Sequence, residues 1–404
     1  MRFEAMVALR FLREGRAQTA FILAGASVGV AVLVFLSALI SGLQTSLIKQ
    51  TLGSQAHVVV RPNDEEPRLL TDVVGAAATL VEKGAQRPRT IRGWEQVVAQ
   101  LRQIPGVLEV APSVAGSAFA SRGLSTRSVA LRGVTPESYD RVIDVSSKIV
   151  AGRFRFTGTD AVLGVELAQE LNVGVGDKLR LVTTEGRSDV FRVAGLFDLG
   201  NKDVNLRWVF VSMRAAQSLL DMPGAASTIE LKVTDIFAAQ ATALEAAGRT
   251  GLVADAWTQL NRQLMVGLRS QDSSKDMIEF FVVIAVALGI TSVLVVSVVQ
   301  KSREIGILRA IGVSRGQVQR IFLLQGLVVG VVGSLLGGLG GAALATFFAT
   351  LAKGPDGSPL FPVDLSPQLF LGASVVALST GLLAALLPAR RAARLDPAAV
   401  IRNG

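Results

Sequence analysis

Four stretches of this chain hold apolar residues almost without interruption, while a long segment between the first two alternates apolar and polar positions. A helix of about 20 apolar residues spans the hydrocarbon core of a bilayer. The runs therefore predict transmembrane helices at residues 19–43, 277–300, 314–351 and 368–389. The third is longer than a span needs, so it should tilt or protrude. The first is too long for a signal peptide, and no small-x-small cleavage site leads cleanly into a polar start, so it should persist as a span. Residues 44–276 read as α+β. HVVVRP is strand-like, and WEQVVAQLRQIPGV is a helix ended by Pro105 and Gly106. SVALRGVTPESYDRVI gives strand, turn and helix; AVLGVELAQELNVGVGDKLRLVT gives strand, helix, glycine-rich turn and strand. SDVFRVAGLFD adds a strand, and both RWVFVSMRAAQSLLD and TIELKVTDIFAAQATALEAAG read strand then helix. Residues 63–90 are polar and interrupted by Pro and Gly, a loop pattern. The flanking LQTSLIKQTLG and WTQLNRQLMVGLRSQDSSKDM suit helices, so the first two spans are expected to continue as a stalk. The expected fold is an integral membrane α-helical protein with four transmembrane helices and a large α+β domain inserted between helices 1 and 2.

Charge sets the orientation. The net charge is +9 in a chain that is half hydrophobic, with mean hydropathy +0.47. Arg2, Arg10, Arg13 and Arg16 precede the first span; Lys301, Arg303, Arg309, Arg315 and Arg320 lie between the second and third; Arg390, Arg391, Arg394 and Arg402 follow the fourth. The loop 352–367 holds only Lys353 against Asp356 and Asp364. The positive-inside rule puts residues 1–18, 301–313 and 390–404 in the cytoplasm and the large domain outside. This accounts for much of the basic charge without a nucleic-acid partner.

Several chemistries are excluded. With no Cys there is no disulfide or thiol nucleophile. The lone His57 sits in a strand-like run, without nitrogen partners for a metal. Asp64, Glu65 and Glu66 lie in the loop-like run, and no His/Ser/Asp set can be assembled, so neither a catalytic nor a metal site is expected. NVGVGDK lacks phosphate-loop spacing and reads as a turn, so ATP binding by this chain is not expected. The spans hold essentially no ionisable residue beyond Glu279 at an edge, and Gln325 is the main polar side chain of the third. Ion-driven transport needs such groups.

Small residues recur at spacing four: Gly25 and Gly29 in the first span, and Gly326, Gly330, Gly333, Gly337 and Gly341 in the third. They predict close helix packing, within the chain or in a dimer. Leu36, Leu39, Ile40, Leu43, Phe280, Phe281 and Ile284, at the outer ends of spans one and two, are candidates to line an acyl-chain pocket. In KSREIGILRAIGVSRGQVQRIF, Ile305, Leu308 and Ile311 share a face of a short helix that Gly312 ends. Ser314 and Gln317 have capping-box spacing at the start of the next helix.

KSREIGILRAIGVSRGQV resembles the cytoplasmic helix after the second span in the MacB/LolC/LolE class of ABC transporter permeases, the four-span type VII exporters. LLPARRAARLDPAAVIR is similar to the C-terminal P-A-x-x-A-A-x-x-D-P-x-x-x-[IL]-R pattern of that class. AVLGVELAQELNVGVGDKLRLV and FRVAGLFDLGNKDVNLRWVFVS resemble lipoprotein-releasing permeases. The resemblance implies a bacterial inner-membrane permease with a periplasmic domain. It implies a second permease chain, identical or not, and a dimer of separate ABC ATPase subunits that bind ATP and Mg. The helix 301–312 would then be a coupling helix docked in the ATPase through Arg303, Glu304, Ile305, Gly306, Leu308, Arg309 and Gly312. Transport would be mechanical, extracting lipoproteins from the outer leaflet towards a periplasmic carrier. Two alternatives stay open: MacB-like efflux through a membrane-fusion protein, and non-transporting regulation of a cell-wall hydrolase.

Overall fold

The structure, a computed structural model, describes residues 2–63, 90–156, 158–351 and 362–395. The loop expected at 63–90 therefore lies almost wholly outside the described residues, as do most of the 352–367 loop and the tail motif from residue 396. In chain order, α1 (Arg2–Glu14) and α2 (Arg16–Leu52) lead into β1 (Val58–Arg61), α3 (Trp94–Leu101), the long β2 (Val107–Arg122), β3 (Ser125–Val134) and α4 (Pro136–Val142). Then come β4 (Ile149–Gly152), β5 (Asp160–Gly164), α5 (Val165–Glu170), β6 (Lys178–Thr183), β7 (Ser188–Phe197), α6 (Lys202–Arg207), β8 (Trp208–Ser212) and α7 (Met213–Leu219). After β9 (Thr228–Val233), α8 (Ala239–Thr250), β10 (Val253–Ala256) and α9 (Trp257–Leu260), the chain is helical through α10 (Arg262–Gln300), α11 (Ser302–Ala310), α12 (Arg315–Leu351) and α13 (Pro367–Ala393). Two compact units result: Ile48–Met265, and Met1–Leu47 with Val266–Gly404.

The Ile48–Met265 unit is built on one mixed sheet ordered β10-β1-β9-β2-β3-β8-β5-β7-β4. β6 pairs with both β2 and β7, so β2, β3, β8, β5, β7 and β6 close into a ring. Closure removes the free edges that six open strands would present. The ring interior takes one apolar set from alternate positions, including Ala120, Leu131, Leu163, Leu181, Phe191 and Val211. Strands such as WVFVS are apolar at consecutive positions because a second core covers their other face. There Phe210 meets Tyr139, Phe154 and Phe197 at ring-centroid distances of 5.3–5.5 Å. β2 continues past the ring into the open half. Its first residues pair with β9, and β1 is held between β9 and β10, with α3 and α8 packed over Val58, Ile229 and Leu231.

Four helices of the other unit, α2, α10, α12 and α13, are long and apolar enough to cross a membrane. α2 runs unbroken from its apolar run to Leu52, and α10 runs unbroken from Arg262 into its own, so the expected stalk segments are helical apart from the break at Asn261. α12 is central, with 56% of its apolar window covered, against 17% for α10. α2 lies antiparallel to α10, with Gln18 Nε2 donating to Gln300 Oε1 at 2.6 Å and Gln44 Nε2 to Asp272 Oδ1 at 2.8 Å. The fourth span was expected to end at residue 389, near Pro388, but α13 runs through that proline to Ala393. Proline removes the amide that would bond the Ala384 carbonyl. Thr291 Oγ1 of α10 donates to that carbonyl instead, at 3.0 Å.

Candidate functional site

Within residues 1–18, expected as a cytoplasmic N-terminal segment, Arg2–Glu14 form a helix of their own. Glu4, Ala8 and Phe11 of α1 recur at helical spacing and are buried, and a break at Gly15 separates α1 from α2. Ala8 and Phe11 share a core with Val298 of α10, Ile305 of α11, Phe322 of α12 and Ala389 of α13. Residues of α1, α10, α11, α12 and α13 thus meet in one core, and α2 follows α1 directly.

α11 is fixed at both ends. The Val313 amide donates to the Leu308 carbonyl and the Gly312 amide to the Arg309 carbonyl, each at 3.1 Å. This double bond pattern needs a left-handed residue after the helix, and Gly312 supplies it at φ +106°. The Ser314 amide then donates to Gln317 Oε1 at 2.8 Å and the Gln317 amide to Ser314 Oγ at 3.3 Å, the reciprocal cap expected from the spacing.

The candidate docking residues divide between two faces. Ile305 is 1% exposed and Gly306 is buried; Leu308 is half-buried against the same core. Arg309 Nη1 donates to the Ala393 carbonyl at 3.3 Å and to that of Leu395. These side chains are already satisfied within the chain. The open face carries Arg303 and Glu304 together with Ile307, 45% exposed, and Ile311, 78% exposed. Of the apolar face read from periodicity, the chain itself covers Ile305 and part of Leu308, while Ile311 lies on the open face.

Lys301, between α10 and α11, gathers two carboxylates. Its Nζ lies 2.6 Å from Glu14 Oε2 and 2.7 Å from Glu304 Oε1. The ammonium is 5.5 Å from the Phe11 ring centroid, and Arg10 Nε is 2.8 Å from Glu14 Oε1. Hydrogen bonds from Arg10 and then Lys301 hold the Glu14 carboxyl below its usual range. Bonds to Glu14 and then Glu304 raise the Lys301 ammonium above its usual value. A reading of the 301–313 segment alone could not find Glu14, 287 positions away.

Among the small residues, an added Cβ at Gly326 would lie 2.4 Å from the Gly381 carbonyl of α13, and one at Gly330 3.0 Å from that of Ala377. Gly333, Gly337 and Gly341 face Ala26, Val30 and Val34 of α2, and Gly29 faces Val286 of α10. These glycines pack within the chain. Gly25 and Gly289 have open space instead and line an apolar groove of about 390 Å³ between α2 and α10. None of the seven acyl-pocket candidates lines it. Leu36, Leu39, Ile40 and Leu43 are half-buried, while Phe280, Phe281 and Ile284 are exposed. The groove opens where glycine leaves backbone bare, nearer Arg16 and Gln300 than those residues. Gln325 is buried, and its Oε1 has no hydrogen-bond partner among the described residues.

In the sheet unit NVGVGDK is a turn from α5 to β6, with Asp177 Oδ2 accepting the Gly174 amide at 2.9 Å. His57 Nδ1 lies 3.1 Å from the Val233 amide that donates to it, and burial holds its pKa below the usual value. No group of three His, Asp or Glu residues could hold a metal among the described residues. Arg132 Nη1 lies 2.8 Å from the buried Glu230 Oε1 and 3.1 Å from the Tyr139 hydroxyl, and its guanidinium stacks 3.8 Å over Trp208. The outward face of the ring at β2, β6 and β7 is basic and partly apolar. Lys178 stands opposite Arg192, and Arg180 opposite Val190; Phe119 stands opposite Val182. Phe119 and Val190 are each 42% exposed. Among the described residues Lys178, Arg180 and Arg192 make no salt bridge. Like charges directly opposed cost stability.

Comparison with known proteins covers nearly the whole chain. The MacB-like periplasmic core domain matches residues 19–248, and the FtsX-like permease C-terminal matches residues 277–397. The chain is 27% identical to the lipoprotein-releasing system transmembrane protein LolC of Neisseria meningitidis serogroup B, over 99% of each chain. It is 28% identical to LolC of Xylella fastidiosa, over 98% of each. It is also 28% identical to the macrolide export ATP-binding/permease protein MacB of Hyphomonas neptunium, over 98% of this chain but 60% of that protein.

Proposed function

This chain belongs to the ABC transporter permeases that join a MacB-like periplasmic core domain to an FtsX-like permease C-terminal, and on that premise we propose that it is the permease subunit of a lipoprotein-releasing machine in a bacterial inner membrane. The observation that carries this reading is the match to LolC, end to end in both chains. Both termini and α11 face the cytoplasm, where a separate ATPase dimer binds ATP and Mg. A second permease chain covers the least buried span, α10.

The exposed face of α11 supplies the contact with the ATPase. Ile307 and Ile311 give apolar burial, while Arg303 and Glu304 set register by charge. Replacing Ile311 by Asp places a charge at the centre of that contact. Co-purification with the cognate ATPase should fall at least tenfold, the effect of about 1.4 kcal/mol. Wild-type recovery of the ATPase would overturn this placement.

The cargo is the lipid-modified protein, taken from the outer leaflet beside α2 and α10. The basic face at Lys178, Arg180 and Arg192 suits an acidic periplasmic carrier, with Phe119 and Val190 adding apolar contact. Photocrosslinkers at Leu39 and Phe281 should capture acylated protein in cells. Capture of unacylated substrates only would favour the second reading, efflux of the kind named for MacB, which the Hyphomonas match supports.

A further inference from the structure

A helix that is pushed from outside moves the bundle only as far as it is connected to it. The chain itself joins α11 to α10 and α12; α2 and α13 have no direct peptide link to it. Side chains supply both missing connections. At the start of α11, Lys301 binds Glu14 at 2.6 Å. Glu14 ends α1, one residue before α2, and Thr19 Oγ1 of α2 ties back to the Leu12 carbonyl at 2.7 Å. Gln18 of α2 adds its bond to Gln300, next to Lys301. At the end of α11, Arg309 donates to the carbonyls of Ala393 and Leu395. Carbonyls in the last turn of a helix lack partners within it, and a cation there also suits the helix dipole.

We propose that Lys301 and Arg309 are positioning residues that clasp α11 to α2, through α1, and to α13, so that one displacement of α11 moves all four spans together. This rests on the reading of α11 as the ATPase-docking helix. Neither residue needs to touch the ATPase. The two limbs differ in kind. Lys301 shares one ammonium between Glu14 and Glu304, so it transmits through charge and will accept another cation. Arg309 spans two carbonyls with a planar fork, which a lysine ammonium does not reproduce.

The test uses the full chain purified with its cognate ATPase subunits and reconstituted in lipid nanodiscs, with ATP hydrolysis and subunit recovery measured together. Glu14→Lys and Lys301→Glu should each keep the subunits together yet lower hydrolysis about fivefold, the lower range of coupling between sites. Lys301→Arg, which keeps a cation between the two carboxylates, should stay near the wild-type rate. Arg309→Lys should assemble and hydrolyse slowly. The clasp is overturned if Glu14→Lys and Lys301→Glu hydrolyse at the wild-type rate, or if Lys301→Arg is as slow as they are. Ile311→Asp serves as the docking control. A clasp failure leaves its loss of assembly intact, whereas wild-type assembly and hydrolysis in Ile311→Asp removes the docking reading and this inference with it.

Discussion

His57 shows what a single titratable side chain contributes here. Burial holds its pKa below the ordinary 6.5. As pH falls, the unfolded chain therefore takes up the proton first, and the folded state loses stability from about pH 6.5 down to the depressed value. Above that window the term is flat. Thermal unfolding of the full chain in detergent should show a smaller drop between pH 7.5 and 5.5 for His57→Gln than for wild type. The second residue of consequence is Glu230, 3% exposed and held by Arg132 and Ser113. Removing one partner of a buried pair leaves the other charge uncompensated, which costs about 3–5 kcal/mol. Glu230→Ala should lower the unfolding midpoint far more than Arg127→Ala, whose ion pair with Glu170 is exposed. The sequence showed the residue types at both places. It could not show that Glu230 on β9 and Arg132 on β3, 98 positions apart, meet across the β2 strand that lies between them.

Elements carry their own tests. Pro388 and Thr291 form a compensating pair, the one withdrawing an amide and the other restoring a donor. Thr291→Val leaves the Ala384 carbonyl without that donor in an apolar bundle, at a cost of about 1–3 kcal/mol. In a Pro388→Ala background the amide returns, so the same substitution should cost much less; additive losses in detergent unfolding would refute the pairing. Glycines sort the same way. Gly326→Ala drives a methyl into the Gly381 backbone and should destabilise by about 1–3 kcal/mol, while Gly25→Ala meets open space and should be near neutral. Spacing alone put all these glycines in one class, because period four marks a face without naming its neighbour. The span helices were legible because their apolar runs are long and continuous. α1 was not, since its buried positions are only Glu4, Ala8 and Phe11 among residues that otherwise read as a basic leader.

At the scale of the whole molecule, the strands and helices read from the sequence for the sheet unit occur in that order, but the long β2, with β4, α6 and β10, was not among them. Their pairing does not follow from it, because local alternation says nothing of which strand closes the ring. Orientation is the remaining whole-molecule expectation, and the absence of native Cys makes it simple to test. In spheroplasts, an impermeant maleimide should label Leu124→Cys at the fully exposed β2–β3 turn. It should label Lys275→Cys as well, but Arg315→Cys only after the membrane is opened. Early labelling of Arg315→Cys would invert the topology.

The place of β1 governs how the chain can be made. Its neighbours β9 and β10 begin at Thr228 and Val253, so a strand translated near residue 60 waits for almost the entire unit before it pairs. Contacts this distant in sequence form late. Until then the VVVR segment is an unpaired strand, open to association with other chains. A ribosome that stalls before residue 253 releases a product whose first strand has no complete seat. Assembly of this unit is in that sense self-proofreading: only a chain read through to Ala256 can hide its own beginning.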